Sequence, residues 1–255
     1  LLEKGSELGG LASLISKIPA KNRLADFPHY LMHRAEQLEN LYIFKNTEGT
    51  PENIRKFHPN IIVSSTGSAP LLPPIAGLKD RIDNENYNIY SILGMINHIN
   101  DFPKDLEGKK VVVVGGGAVG LDVVEFFADR NADISIVEMM DQIGRDLDPV
   151  SKNDTKTMMK KHNVHQLTKT ALLEVKDSSF LVKGDGEPYE LPFEYGFVCL
   201  GMRAQGQLYQ SLAEEFSSED VEIMNIGDSQ RARRIIDGTQ EGRNILTILE
   251  QRGYL

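Results

Sequence analysis

Three glycines near the middle of the chain have a spacing that could bind phosphate. They are Gly115, Gly117 and Gly120, within the stretch VVVVGGGAVG. With this spacing the first glycine permits a tight turn, the second opens the backbone to a pyrophosphate, and the third lets a following helix pack closely. The N–H groups that begin such a helix, here those of Ala118 and Val119, would donate to the phosphates. The glycines predict a dinucleotide site; a structural turn without ligand is the alternative.

A carboxylate in the expected position strengthens this prediction. Glu138 ends the apolar run ISIV, 23 residues after Gly115, and a dinucleotide site places an acid about 20 residues on, where it accepts hydrogen bonds from the adenosine ribose. The same acid would repel a 2′-phosphate, and Met139 and Met140 supply no cation. The sequence therefore favours NADH over NADPH, while Arg145 lies near enough to keep NADPH open. A solvated acid at a strand end is the alternative for Glu138.

The elements that must position these residues form one βαβ unit. Residues 111–114 are a continuous β-branched run, which is typical of a strand buried in a parallel sheet. After the glycines, Val119, Val123 and Phe127 recur at helical spacing. The stretch ADISIVE then predicts the second strand. A strand, a glycine turn, a helix and an acid-terminated strand therefore follow one another in the order that the motif requires.

The rest of the chain predicts further helices and strands. At its start, LLEKG resembles the ISIVEMM stretch, because both indicate the end of a strand followed by an acid. Apolar spacing predicts a helix around residues 30–38, and further helices at 91–100, 152–162 and 234–251. The remaining patterns predict a short strand at 42–46, buried strands at 61–64, 193–201 and 221–228, and an antiparallel meander at 170–192 with a GDG turn.

Composition excludes several classes of protein. The chain has 255 residues, a net charge of −9 and 25% charged residues, which argues against nucleic acid or an anionic membrane as a partner. No apolar run approaches the roughly 18 residues that span a bilayer. The one cysteine, Cys199, excludes an intrachain disulphide, a CxxC pair and a cysteine metal site within this chain. The low cysteine count fits a reducing, cytoplasmic compartment. His162 and His165 lack metal spacing, so we predict no metal site.

Four further stretches carry a resemblance to a known family. They are LLEKGSELGG, SSTGSAP, CLGMRAQ and NIGDSQRARRIIDGTQEG, in this order along the chain. Together with the glycine motif they resemble the C-terminal half of the old-yellow-enzyme-type flavin reductases. That family includes 2,4-dienoyl-CoA reductase and 2-enoate reductase, and trimethylamine dehydrogenase is a relative. The tail around Glu241 and Gly242 is closer to the dienoyl-CoA reductase branch than to the disulphide reductases.

The resemblance implies cofactor contacts outside the glycine motif. Glu3 would bind the adenosine ribose of FAD, and Asp228 would contact the flavin ribitol. The matched positions also include glycines and one threonine, namely Gly9, Gly10, Thr66, Gly67, Gly201 and Gly227. Taken singly, Glu3 could be any surface acid, Thr66-Gly67 only a turn, and Asp228 a helix cap.

The implied architecture is α/β, a two-dinucleotide-binding-domain flavoprotein. A Rossmann-like NAD(P)-binding domain, residues 106–200, is inserted in an incomplete FAD-type Rossmann-like domain made of residues 1–105 and 201–255. The first strand and glycine turn of the FAD domain are not in this sequence, so we expect Leu1 to be an artificial boundary and FAD binding to be impaired. The resemblance places FMN and an iron–sulfur cluster in an N-terminal barrel domain of the same protein, outside this sequence.

The predicted function is that of a flavin-dependent oxidoreductase fragment. NADH, or NADPH, would give hydride to FAD, and the parent enzyme would reduce an activated alkene such as an enoate or a dienoyl-CoA. The cofactors carry this chemistry, so we assign no catalytic residue. Two alternatives stay open. One is an NADH oxidase or a pyridine nucleotide-disulphide reductase, and the other is a non-catalytic nucleotide-binding or structural module.

Overall fold

The computed structural model describes residues 1–254, which separate into two compact units. The first unit contains Leu1–Ser16, Lys21–Ala69 and residues 202–254. The second unit contains Lys17–Ala20 and Pro70–Gly201. The chain therefore leaves the first unit near residue 70, builds most of the second unit as one continuous segment, and returns near residue 202.

The chain up to residue 70 is mainly helical. Its elements are α1 (Gly10–Ile15), a 3₁₀ helix (Pro19–Ala25), α2 (Asp26–Glu36), α3 (Pro51–Arg55), β1 (Ile61–Ser64) and β2 (Ser68–Pro70). The second unit follows with α4 (Leu78–Arg81), β3 (Ile89–Tyr90), α5 (Ile92–Asn97), β4 (Lys110–Val114), α6 (Ala118–Ala128), β5 (Asp133–Val137), α7 (Pro149–Lys161), β6 (His165–Leu167), β7 (Ala171–Val175), β8 (Ser179–Lys183), β9 (Tyr189–Pro192) and β10 (Tyr195–Val198). The returning segment adds β11 (Met202–Ala204), α8 (Gln207–Glu215), β12 (Glu222–Asn225), a 3₁₀ turn (Gly227–Ser229) and α9 (Ile235–Gln251).

The second unit is built on a five-stranded parallel sheet. Its strand order is β3-β10-β4-β5-β6, and all four neighbouring pairs are parallel. Residues 111–114 of β4 are buried, as expected for a central parallel strand that is covered on both faces. Beside this sheet, β7, β8 and β9 form the predicted antiparallel meander. The predicted α/β class with a Rossmann-like unit is confirmed.

Two apolar layers pack around the central strands of the second unit. One layer is aromatic: Phe102 contacts Phe127 edge to face, with ring centroids 5.1 Å apart, and Phe197 lies 4.8 Å from Phe127. The other layer joins Val112 and Val114 to Phe180 of the meander. Because α6 contributes Phe127 to the first layer, its packing fixes where the helix begins relative to the sheet.

The first unit has a much smaller core. Strands β1 and β12 pair in parallel, in register from Ile61↔Glu222 to Ser64↔Asn225. The buried apolar residues that cluster at this pair are Ile62, Leu212 and Phe216. Helix α2 contains no buried residue. Parallel strands are normally covered on both faces, so a two-stranded pair with so few buried neighbours leaves apolar surface of this unit in contact with solvent.

The structure corrects the predicted strands at the start of the chain. The LLEKG and YIFKN stretches form no regular strands; they meet in one isolated parallel bridge, Leu2↔Phe44. Hydrogen bonds extend this contact on both sides, since Glu3 N–H donates to Phe44 O at 2.9 Å and Asn46 N–H donates to Gly5 O at 3.0 Å. Both stretches thus have extended backbone and pair with each other, but the pairing ends before a strand is established.

Helix boundaries also shift by a few residues. Helix α7 begins at Pro149, three residues before the predicted start at 152, because the Asp148 side chain caps it by accepting from the N–H groups of Val150 and Ser151. Helix α2 starts and ends earlier than predicted, so Leu38 lies outside it. The predicted helix at 91–100 is limited to α5, which Ser91 caps at its N-terminus.

Candidate functional site

The glycine motif forms the turn between β4 and α6. Gly115 has φ +109°, in the region that favours glycine. A Cβ atom added at this position would lie well under 3.0 Å from the carbonyl oxygen of Cys199. The N–H of Gly115 donates to Val137 O at 2.8 Å. Gly115 is thus required both by its backbone angle and by the strand that passes beside it.

Gly117 and Gly120 have different surroundings. A Cβ atom added at Gly117 would meet no protein atom within 4 Å, whereas one added at Gly120 would lie far under 3.0 Å from Gly115 O. Gly117 is the N-cap of α6 and offers no side-chain cap, and Ala118 beside it is exposed. The glycine at 120 therefore serves helix packing, while the one at 117 leaves an open surface at a helix N-terminus. This is the division of roles that a pyrophosphate site requires.

The Glu138 carboxylate is held in a fixed orientation beside the turn. Its Oε2 accepts the N–H of Gly116 at 2.6 Å, and its Oε1 accepts the N–H of Met140 at 2.7 Å. A carboxylate has about four lone-pair sites, so each oxygen retains capacity for one more donor. The side chain is half-buried. A preorganised acceptor at this position suits the two hydroxyls of a ribose.

A short segment after Glu138 folds back onto the turn. The N–H of Gly144 donates to Gly116 O at 2.7 Å, and Ile143 is buried. Arg145, the residue after Gly144, is exposed. Because Gly144 contacts the turn, the backbone of Arg145 also lies near it. Met139, directly after Glu138, is 68% exposed. An exposed apolar side chain thus follows Glu138 directly, and an exposed cation follows the residue that contacts the turn.

The thiol of Cys199 has the properties of a buried hydrophobic group. Cys199 follows β10 and is buried. Burial is the main cause that raises the pKa of Cys199 to about 12, with smaller contributions from the charges of Asp122 and Asp83. A thiol with this pKa is protonated at neutral pH, and the thiolate is the reactive form. Cys199 is therefore unsuited to attack a disulphide or to receive electrons from a flavin.

In the first unit, the stretch around Asp228 meets the stretch around Thr66 and Gly67. The Asp228 Oδ2 accepts a hydrogen bond from Ser68 Oγ at 2.9 Å, and its Oδ1 accepts the N–H of Arg233 at 3.0 Å. Gly227 has φ +66°, so this turn too favours glycine. Two stretches that are 160 residues apart are thereby joined. The structure thus joins the SSTGSAP stretch to the NIGDSQRARRIIDGTQEG stretch, two of the four stretches that carry the resemblance.

The other predicted positions have local roles in the structure. Glu3 accepts the N–H of Gly5 at 2.7 Å through its own carboxylate. Gly9 has φ +98° and precedes α1, and a Cβ atom there would clash with the Ser13 side chain. Gly10 and Gly201 also have positive φ angles, +50° and +104°. Within residues 1–254, no hydrogen bond or ion pair joins Glu3 to Asp228.

A cavity in the first unit was not predicted from the sequence. Its volume is about 380 Å³, within the roughly 300–1,000 Å³ of small-molecule sites. Its lining is mainly apolar and comes from α1, α2, the preceding 3₁₀ helix and the first turn of α9: Ala12, Arg23, Leu24, Phe27, Pro28, Ile235, Ile236 and Thr239. The sequence analysis did not indicate it; in the structure the side chains of Phe27 and Ile235 at its wall are partly exposed. An open apolar cavity of this size can accommodate a flat aromatic ring, so the residues present fit a flavin.

None of the helices within residues 1–254 combines the length and the apolar composition that a bilayer-spanning helix needs.

Comparison with known families agrees with this geometry. The family model described as pyridine nucleotide-disulphide oxidoreductase matches residues 37–224. The match covers more than half of the sequence and includes the glycine turn, Glu138 and the sheet of the second unit. The chain therefore belongs to the pyridine nucleotide-disulphide oxidoreductase family.

Two individual relatives match nearly the whole of this chain. The chain is 26% identical to a metal reductase of Desulforamulus reducens, with 95% of this chain and 39% of that protein covered. It is 25% identical to an NADH oxidase of Thermoanaerobacter brockii, with 95% of this chain and 36% of that protein covered. The chain thus spans less than two fifths of the length of these relatives.

A solved structure shares the fold over nearly the whole chain. It is that of 2-naphthoyl-CoA reductase in complex with 2-naphthoyl-CoA. The TM-score is 0.78 at 22% identity, over 94% of this chain and 34% of that one. The resemblance to flavin- and nicotinamide-binding reductases that the sequence indicated is confirmed.

Proposed function

We propose that this chain is the nucleotide-binding part of a flavin-dependent oxidoreductase, in which NADH bound to the second unit gives hydride to FAD bound to the first. The observation that carries the proposal is the open backbone at Gly117 beside the oriented carboxylate of Glu138. In the proposed complex the N–H groups at the start of α6, from Ala118 and Val119, bind the pyrophosphate. Glu138 binds the adenosine ribose.

The surroundings of Glu138 support NADH as the preferred nucleotide. Both carboxylate oxygens are fixed by backbone N–H groups, so the charge cannot turn away from a 2′-phosphate. Met139 contributes no positive charge. Arg145 is the nearby cation, and we expect it to supply whatever affinity for NADPH the site has.

The first unit supports FAD as the acceptor. The Gly227-Asp228 turn presents a carboxylate for hydroxyl groups, and the apolar cavity lined by Phe27 and Ile235 can hold a ring. We assign the remaining positions predicted from the sequence to the same cofactor: Glu3, Gly9, Gly10, Thr66, Gly67 and Gly201. When bound, the flavin supplies the redox chemistry; the residues of this chain bind and orient it.

We further propose that residues 106–200 are the NAD(P)-binding domain and that residues 1–105 and 201–255 belong to the FAD-type domain. In the parent enzyme, an iron–sulfur cluster and FMN in a barrel domain would supply the further redox chemistry, and the substrate would be an activated alkene, such as an enoate or a dienoyl-CoA. The likeness to 2-naphthoyl-CoA reductase supports a conjugated thioester as substrate. Because this sequence has a single cysteine, the ligands of such a cluster must come from elsewhere.

NADH oxidase activity is the second candidate. The relative from Thermoanaerobacter brockii, which matches over 95% of this chain, supports it. In this alternative, oxygen takes the electrons from the flavin. Disulphide reduction by this chain is disfavoured because its one thiol, Cys199, is buried and protonated. Oxygen consumption with NADH, measured with and without an enoate acceptor, separates the two reactions.

The test of nucleotide binding is a titration with NADH and NADPH by isothermal calorimetry. We expect NADH to bind, and NADPH to bind at least about tenfold more weakly, as one like-charge contact typically costs. The variant Arg145→Gln should weaken NADPH further and leave NADH within twofold. If neither nucleotide binds, the oxidoreductase proposal is wrong and a structural module is favoured.

A further inference from the structure

The Glu241 side chain contacts the turn that contains Asp228 at two points. It lies in α9, 14 residues after Gly227, and its Oε2 accepts the Gly227 N–H at 2.6 Å. Its Oε1 forms an ion pair with the Arg233 guanidinium. The backbone N–H of Arg233 in turn donates to Asp228 Oδ1 at 3.0 Å. The helix side chain is thus connected to both ends of the loop that carries the Asp228 carboxylate.

The ion pair also sets the charge of the turn. The Arg233 guanidinium is the main cause that lowers the pKa of Glu241, followed by the Gly227 N–H. Both side chains are less than one third exposed, so solvent screens them only partly. Arg233 thus compensates Glu241 through a direct ion pair and contributes a smaller attraction to Asp228. Without Arg233, two carboxylates would repel each other there.

These contacts define what the turn can bind. The Gly227 N–H is already used by Glu241, so it does not face an incoming anion. Each oxygen of Asp228 accepts one internal hydrogen bond and keeps a free lone-pair site. An anionic acceptor at this turn repels phosphate and favours neutral hydroxyl donors. A polyol chain has the matching chemistry.

We propose that Glu241, acting with Arg233, is a positioning residue that aims the Asp228 carboxylate at the hydroxyl groups of the flavin's ribityl chain. This inference rests on the proposed binding of FAD to the first unit. Glu241 does not touch the cofactor in this account; it acts through the turn.

The first test is Glu241→Gln in the product of the complete gene, with FAD affinity measured by quenching of flavin fluorescence. The loss of one charge-assisted contact should weaken FAD binding about tenfold or more, while NADH affinity stays within twofold. Glu250→Gln is the matched control, because it removes the same charge from an exposed position on the same helix. It should leave FAD affinity unchanged.

A double-mutant cycle distinguishes positioning from a general structural role. If Glu241 acts through Asp228, the variant Asp228→Asn/Glu241→Gln should bind FAD no more weakly than Asp228→Asn alone. Lumiflavin, which lacks the ribityl chain, should bind wild type and Glu241→Gln equally. Additive losses in the cycle, or an equal loss for lumiflavin, would overturn the inference.

The outcomes separate this inference from the proposed function. If wild type binds no FAD, the proposed function fails and the inference fails with it. If wild type binds FAD and Glu241→Gln binds it within twofold, the inference alone is wrong. Should circular dichroism show that Glu241→Gln does not fold, Arg233→Gln breaks the same ion pair from the loop side. It is expected to give the same loss, and unchanged FAD affinity in that variant also overturns the inference.

Discussion

At the scale of single residues, Glu138 has two tasks that depend on one geometry. Its oxygens accept the N–H groups of Gly116 and Met140, which stiffens the turn and orients the carboxylate. The same orientation leaves lone pairs available for a ribose. Because both tasks use one side chain, removing its charge with glutamine should affect ligand affinity more than folding, since the glutamine carbonyl can still accept one of the two backbone N–H groups.

Glu138→Gln should therefore weaken NADH binding. Hydrogen bonds to a charged group contribute about 1.5–3 kcal/mol, so the dissociation constant should rise about tenfold or more. NADPH should lose less affinity, because the repulsion of its 2′-phosphate disappears. Calorimetry on Glu138→Gln and on the control Glu187→Gln, an exposed acid between β8 and β9, measures this difference. Equal losses for both nucleotides would contradict the assigned ribose contact.

Cys199 gives a second test at this scale. Burial raises the pKa of Cys199 to about 12, so the folded protein should contain no thiolate at pH 8. We expect no reaction with a thiol reagent such as Ellman's reagent over many minutes, and one thiol per chain after unfolding in guanidinium. A fast reaction of the native protein would reopen the disulphide reductase alternative.

The sequence revealed some functional residues and concealed others for physical reasons. Glu138 was predictable because a local motif fixes its distance from Gly115 along the chain. Glu241 and the cavity around Phe27 were not, because they depend on contacts between segments far apart in sequence. The sequence offers no periodic signal for such contacts.

At the scale of elements, two glycines of the turn between β4 and α6 have different roles. Gly117 leaves room for a ligand, and Gly120 allows the helix to pack. Gly117 faces open space, and Gly120 faces the backbone of Gly115. This is the difference that the motif predicts for its second and third glycines. It arises because α6 packs against β4 through its first turn.

The two alanine variants should separate these roles. Gly117→Ala should cost less than about 1 kcal/mol of folding free energy, the scale of an N-cap change, yet weaken NADH binding at least about tenfold. Gly120→Ala should destabilise the fold by about 2 kcal/mol or more, because overpacking forces the helix away. Thermal unfolding and calorimetry on both variants provide the data. A Gly117→Ala protein with normal NADH affinity would refute the phosphate assignment.

Strand predictions succeeded where neighbouring strands support each other. The β4 and β5 runs are β-branched and pair over five positions, so the local and the tertiary preferences agree. The stretches around Leu2 and Phe44 contain few β-branched residues and pair with each other in one isolated bridge. The local sequence pattern therefore predicted two strands that do not form, because no larger sheet is there to pair with them.

At the scale of the whole molecule, the charge states of a few groups set how stability depends on pH. Hydrogen bonds lower the pKa of Asp148, Glu190 and Glu241 in the folded protein. Their stabilisation is present above the pKa values of the unfolded chain, about 3.9–4.3, and is lost as pH falls through the lower folded values. The raised pKa of Cys199 acts in the opposite direction, so stability falls as pH rises above the usual thiol value of about 8.5.

The free energy of unfolding should thus be highest between roughly pH 5 and 8. The variant Cys199→Ala should flatten the alkaline decline, to which one thiol contributes up to about 1.4 kcal/mol per pH unit. Glu241→Gln should reduce the acid decline. Urea unfolding at a series of pH values tests both statements. An alkaline limb that is unchanged in Cys199→Ala would show that other groups cause it.

The central claim is that the N–H groups at the start of α6 bind the phosphates of NADH while Glu138 binds its ribose. The most direct measurement is an ¹H–¹⁵N NMR titration of the protein with NADH. The account predicts that the largest shifts fall on the amides of Gly117, Ala118 and Val119 and on those beside Glu138. Saturable NADH binding with these amides unmoved would contradict it.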